Sequence, residues 1–155
     1  MKKYGINGVS IAVVHNNKIE WARGYGFADI SEKRPVTEST LFQAASISKS
    51  LNSLGVLKLV QEKKLDLNAD INKYLISWKF PYDEKCNGKK ITIANLLSHT
   101  GGLTIHGFPG YSRGDTIPIL SQILDGQKPA NTAAIRSSSE PGKSVNYSGG
   151  GTTIT

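Results

Sequence analysis

Leu41-Phe42-Gln43-Ala44-Ala45-Ser46-Ile47-Ser48-Lys49-Ser50 is where a loop carrying Pro35 gives way to a periodic apolar segment. Ile47, Leu51, Leu54, Leu57 and Val60 recur every three or four residues, which predicts a helix from Ser46 to about Lys63 with one buried stripe. Lys63 and Lys64 stand near its negative end. Residues three apart on a helix share a face, so the Lys49 ammonium can lie beside the Ser46 hydroxyl. The free amides at the helix start favour an oxyanion forming there. A serine hydroxyl is a weak nucleophile near neutral pH and needs a base; a lysine serves when its surroundings leave part of it neutral. Alone the pair decides nothing, because serine is a common N-cap and a lysine one turn on is usually a solvated charge.

The chain has 155 residues, enough for one real core. Its 38% hydrophobic and 20% charged content suits a folded globular protein. A formal net charge of +7 suits anionic partners such as nucleic acid, an acidic cell-wall polymer or a membrane surface. The lysines are scattered, however, and no basic stripe interleaved with aromatics argues for nucleic acid. The single cysteine, Cys86, excludes an intrachain disulfide; in its polar loop, Asp83 to Gly88, it reads as an incidental thiol. His15, His99 and His106 follow no metal-ligand spacing, so neither a metal nor a cofactor is expected. No apolar run reaches transmembrane length, and Lys2-Lys3 followed by Val9 to Val14 reads as the start of a strand, not a leader.

In order, Gly8 to His15 and Lys18 to Phe27 read as two strands joined by Asn16-Asn17, a tight hairpin turn. Ile19, Trp21, Tyr25 and Phe27 would share one aromatic face. Gly24-Tyr25-Gly26 lacks the third glycine of a dinucleotide fingerprint. Asp29 to Thr40 reads as a polar loop. Short helices are expected over Ile71 to Trp78, after an N-cap at Thr92, and from Asp115 to Leu124 with Pro118 in the first turn. His99-Thr100-Gly101-Gly102 closes the second of these, and Gly126 to Ser144 is a long polar excursion. Gly142-Lys143-Ser144 lacks the upstream glycine of a P-loop.

Four segments together carry a resemblance. They are Gly8-Val9-Ser10-Ile11-Ala12-Val13-Val14, Phe42-Gln43-Ala44-Ala45-Ser46-Ile47-Ser48-Lys49, Leu96-Leu97-Ser98-His99-Thr100-Gly101-Gly102-Leu103, and Pro141-Gly142 leading into Tyr147-Ser148-Gly149. In this order and at these separations the chain resembles the serine β-lactamase and penicillin-binding protein superfamily, in its class C-like branch of D-alanyl-D-alanine carboxypeptidase and esterase relatives. The resemblance implies an α+β fold, an antiparallel sheet flanked by helices plus a helical region, here incomplete: the first two strands and most of the helical region. It implies Ser46 as acylated nucleophile, Lys49 as its partner in proton transfer and Tyr147 as the proton shuttle to the leaving group. Gln43, Ser148 and Gly149 would then contact substrate, and the Ser46 amide would form half of an oxyanion hole. Where the family commonly carries Tyr-x-Asn, Gly149 stands in place of the asparagine, which argues against strong β-lactamase activity. His99 reads as a structural, hydrogen-bonding histidine.

The resemblance further implies that residues 1–155 are part of a longer serine hydrolase domain without its later sheet strands and third motif, poorly active alone, and extracytoplasmic. The expected partner is a small-molecule or peptide substrate (a D-alanyl peptide, a β-lactam or a small ester). A nucleic-acid partner has only the net charge behind it and is not expected, and the oligomeric state is open. The alternative is a non-catalytic relative that binds cell-wall fragments or protein, against which stands the retention of Ser46, Lys49 and Tyr147.

Overall fold

In the computed structural model, which describes residues 1–155, Asn16 and Asn17 hold φ values of 49° and 60°. Asparagine tolerates that conformation, and a two-residue hairpin turn requires it. The pair joins β1 (Gly8–His15) to β2 (Lys18–Asp29), with Val9 opposite Tyr25 and Val13 opposite Trp21. A register shift follows Val13, so Ile19 faces Val14. Successive residues of β1 point to opposite faces, and Ile19 therefore falls out of step with Trp21, contrary to the single aromatic face expected from sequence.

The expected polar loop after Asp29 contains a short third strand, β3 (Arg34–Pro35), paired with Phe27 and Asp29 of β2. What draws it in is Val36, which is buried and donates its N–H to the Gly26 carbonyl at 3.0 Å. A Cβ on Gly24 would come within 2.3 Å of the Val36 carbonyl oxygen. That glycine serves close backbone approach, not dinucleotide binding. The sheet belongs to the first of two compact units, Met1–Ala45; the second is Ser46–Thr155.

The second unit holds α1 (Ser48–Gln61), α2 (Ile93–Leu97), α3 (Leu120–Asp125) and α4 (Gly149–Ile154). Its core is Val56, Ile71, Phe80, Cys86, Ile91, Ile93, Leu96, Leu103, Leu124, Ile135 and Ile154, drawn mostly from short helices and the loops between them. Thr92 caps α2 as expected, its hydroxyl accepting from Asn95 N–H while the Asn95 side chain accepts from Thr92 N–H. Tyr82 donates to Asp70 at 2.5 Å and accepts from the Ile91 N–H at 3.1 Å, tying three turns together.

Four expectations are corrected in this unit. Along α1 only Val56 is buried, while Leu51, Leu54 and Leu57 are 69%, 64% and 45% exposed. Periodicity shows which residues share a face, not which face packs. Here the packed face runs through Asn52, whose amide donates to Thr155 at 2.6 Å, and Val56 four residues on. The helix expected over Ile71 to Trp78 shortens to a single 3-10 turn, Ile71–Lys73, capped by Asp70. The helix expected from Asp115 begins only at Leu120: Pro118 disfavours helical backbone at Ile117, and Ile119 is extended, its N–H bonded to the Gln122 side chain. Cys86 is not an incidental loop thiol. It is 2% exposed, with its sulfur 3.0 Å from the Ser137 hydroxyl, because the Asp83-capped turn points the polar residues out and the sulfur in.

The excursion Gly126 to Ser144 is pinned down along its length. Ile135 N–H bonds to Leu124, the Arg136 carbonyl accepts from Thr104, and Ser138 N–H bonds to Gly102. Arg136 pairs with Asp125 at 2.9 Å, and Asp125 also accepts from the Trp78 indole at 3.1 Å.

Candidate active site

Ser46 lies in the 3-10 turn Ala45–Ile47 that runs directly into α1, where Lys49 occupies the first turn. Ala45, immediately before it, has φ 44°. A left-handed backbone at a residue with a Cβ costs about 1–3 kcal/mol, a strain that concentrates at functional sites. One helical turn then sets Lys49 Nζ 3.2 Å from Ser46 Oγ, as the three-residue spacing predicts.

Tyr147 arrives from 101 residues away and places its hydroxyl 2.6 Å from the same Oγ. The Lys49 ammonium lies 5.0 Å from the Tyr147 ring centroid. The Tyr147 phenol is held below its ordinary range, first by its hydrogen bond with Lys49, then by the one with Ser46. Three side chains thus meet at one exposed hydroxyl, whose oxygen accepts from both Tyr147 and Lys49.

The segment carrying Tyr147 is held on both sides of that residue. Asn146 N–H bonds to the His99 carbonyl at 2.8 Å, and Ser148 N–H to His99 Nδ1 at 3.3 Å. The His99 and Tyr147 rings pack with centroids 4.6 Å apart. From the other side His106 Nδ1 lies 2.6 Å from the Tyr147 carbonyl oxygen. A carbonyl only accepts, so this ring nitrogen carries the proton. His99 is held below its ordinary range by burial and then by the Lys49 charge.

Ser148 and Gly149, expected to contact substrate, turn inward instead. Ser148 is 3% exposed; its hydroxyl caps α4 by accepting from Gly151 N–H at 2.8 Å and lies 3.3 Å from the Thr104 carbonyl. Gly149 is buried, and a Cβ there would come 3.2 Å from both the His106 carbonyl oxygen and the Phe108 ring. The asparagine common at this position in the family would not fit without displacing that loop. Gln43 belongs to the first unit, where it lines an open depression with Arg34, Thr40 and Phe42.

Sequence reasoning weighed His106 only as a metal ligand and missed its bond to Tyr147. It lies 41 residues from Tyr147 in a glycine-rich loop, and only the chain path reveals the contact. His99 was read as structural, and its bonds to both neighbours of Tyr147 make that role specific.

The family model described as Beta-lactamase matches residues 1–154. Over 103 residues the chain is 36% identical to Protein flp of Staphylococcus aureus (strain N315), a match covering 66% of this chain and 20% of that protein. Among solved structures, D-amino acid amidase from Ochrobactrum anthropi SV3 superposes with a TM-score of 0.72 at 24% identity, over 99% of this chain and 39% of that one. EstCE1, described as a hydrolase with promiscuous acyltransferase activity, superposes with a TM-score of 0.71 at 26% identity, over 96% and 40%. The chain thus spans about a fifth of the curated relative's length and about two fifths of the solved chains.

Proposed function

This chain belongs to the β-lactamase family and carries part of its α+β fold, and from that premise we propose that the protein is a serine hydrolase working through an acyl-Ser46 intermediate. The observation that carries the reading is the convergence on Ser46 Oγ of the Tyr147 hydroxyl at 2.6 Å and Lys49 Nζ at 3.2 Å. Of the two contacts, the phenol's is the shorter, and the phenol is held below its usual range. That combination favours Tyr147 oxygen as the immediate acceptor of the serine proton, with Lys49 as its electrostatic and proton-transfer partner.

In this reading Tyr147 acts as the phenolate, its own proton already lost to solvent and its charge balanced by the Lys49 ammonium, and Ser46 Oγ attacks the carbonyl carbon as its proton passes to that oxygen. The tetrahedral oxyanion forms near the start of α1, where the Ser46 amide supplies one donor. Collapse expels an amine or alcohol, which takes the proton from Tyr147. Water then attacks the acyl-serine, giving its proton to the same phenolate oxygen; the tetrahedral intermediate collapses as Ser46 Oγ takes that proton back, and the acid product departs.

An amide, peptide or ester carbonyl is the substrate class that this chemistry serves. The names of the amidase and of the promiscuous acyltransferase among the structural neighbours support it. Within that class a D-alanyl peptide, a β-lactam or a small ester fits an extracytoplasmic enzyme acting on cell-wall material. The buried Gly149 supplies no side-chain amide to substrate, which favours ester and peptide carbonyls over efficient β-lactam turnover. Labelling with a fluorophosphonate or fluorescent penicillin, on the protein at its full encoded length, tests the reading. Label is expected on Ser46 and lost in Ser46→Ala; an unlabelled wild type would favour a binding module that keeps the fold without the chemistry.

A further inference from the structure

Tyr147 is exposed, yet the peptide that carries it is gripped by two imidazoles in opposite hydrogen-bonding roles. His99 Nδ1 must accept from Ser148 N–H, so its proton sits on Nε2. His106 Nδ1 must donate to the Tyr147 carbonyl, so its proton sits on Nδ1. His99 adds a second backbone bond, its carbonyl to Asn146 N–H, and lays its ring against that of Tyr147. Its own φ of 58° bends the chain after α2 so that carbonyl and ring both face the Tyr147 segment.

We propose that His99 and His106 are positioning residues for Tyr147, holding its peptide from both sides and so setting where its phenol stands against Ser46. The proposal rests on the acyl-transfer reading above. Its reach is geometric: a proton-transfer contact of 2.6 Å has little tolerance, and displacements of about 1 Å cost on the order of 10²-fold in rate.

The two roles respond differently to acid. Protonated His99 offers a second N–H where Ser148 N–H needs an acceptor, so that bond is lost. His106 donates through Nδ1 and has no acceptor role at this contact to lose. The titratable groups facing His99 are Lys49 from α1 and Tyr147 from the segment before α4. The neighbouring Ser98, Thr100, Asn146 and Ser148 bring no charge. Burial and the Lys49 charge both oppose protonation of His99, which places the loss of grip below the ordinary histidine range.

The test uses the protein at its full encoded length and two readouts. In nitrogen-correlated NMR, assigned with single histidine variants, His99 is expected as the Nε2–H tautomer and His106 with its proton on Nδ1. In fluorophosphonate labelling of Ser46, His99→Ala is expected to lower the maximal acylation rate by about 10–100-fold with little change in the half-saturating probe concentration. His99→Asn keeps an acceptor and tolerates the left-handed backbone; it is expected to recover most of that rate and to shed the part of the acid limb that lies below the ordinary histidine range. His106→Ala is expected to lower the rate without moving the acid limb.

A proton found on His99 Nδ1 at neutral pH overturns the proposal. So does wild-type labelling in folded His99→Ala, or an unchanged acid limb in His99→Asn. Should His99→Ala fail to fold, the asparagine variant and the tautomer measurement decide. A wild type that takes no label overturns the hydrolase reading and this proposal with it, whereas a labelled wild type with indifferent histidine variants overturns the proposal alone.

Discussion

The two halves of the site are built in opposite ways. Ser46 and Lys49 ride at the start of α1, a fourteen-residue helix that buries only Val56 and leaves four leucines in contact with water. Tyr147 sits on irregular backbone whose neighbours are fixed by His99, His106 and the Ser148 cap, against a core that includes Leu103, Ile135 and Ile154. The regular element is the loosely packed one. Secondary structure alone gives Ser46 and Lys49 their spacing, because one helical turn suffices, whereas Tyr147 needs tertiary packing to reach the same point.

The largest effects should come from the shared hydroxyl. Ser46→Ala is expected to abolish acyl labelling, and Tyr147→Phe to slow it by about 10²–10⁴-fold, the usual range for loss of a positioned proton-transfer group. Stopped labelling followed by mass spectrometry measures both. A phenylalanine variant that labels at the wild-type rate would move the whole base function to Lys49 and dissolve the contrast between the halves.

Next in size are the packing differences. Leu103→Ala removes a side chain that is 1% exposed and is expected to destabilise residues 1–155 by about 2–5 kcal/mol in urea denaturation. Leu54→Ala on α1 is expected to change stability by less than about 0.5 kcal/mol in the same chain. Equal losses at the two positions would show α1 to be packed as firmly as the loops. Between these lies Ser148→Ala, which strips the cap from α4 and leaves Gly151 N–H without its partner. About 1–2 kcal/mol is expected, together with slower labelling at Ser46.

The smallest effect concerns Glu140, which pairs with Lys89 at 2.6 Å and accepts from Asn87 at 3.1 Å. Those bonds hold its carboxyl below the ordinary range, the Lys89 bond first. A depressed folded-state value means that the stabilisation is complete above the unfolded carboxyl's range and fades as pH falls through the lowered one. Glu140→Gln is therefore expected to lower the melting temperature slightly at pH 7 and not at all in strong acid. His99 has the same sign for a different reason: its neutral form is favoured, so its contribution is full above the ordinary histidine range and lost as pH falls through the lowered value.

How much of this was legible in the sequence follows from where each determinant lies. Asn16-Asn17 announces its turn because the residue type itself carries the positive φ. Thr92 announces its cap because the partner, Asn95, is three residues away. Ser46 and Lys49 could be paired for the same reason. Tyr147 was reachable only through resemblance, since no local rule links positions 101 residues apart. The α1 leucines misled because a period defines a face without saying what lies opposite it. Cys86 misled because polar neighbours suggest exposure, while a single capped turn is enough to reverse one side chain. Ser148 and Gly149 were assigned to substrate by position in a motif, and their inward direction depends on the Thr104 to Phe108 loop laid over them.

The sulfur of Cys86 has a practical consequence. It is the chain's only thiol and is almost wholly shielded, so a maleimide or disulfide reagent reaches it only when the surrounding core opens. Reaction rate at that one atom, followed against denaturant, becomes a clock for the breathing of the second unit, readable without engineering a probe into it.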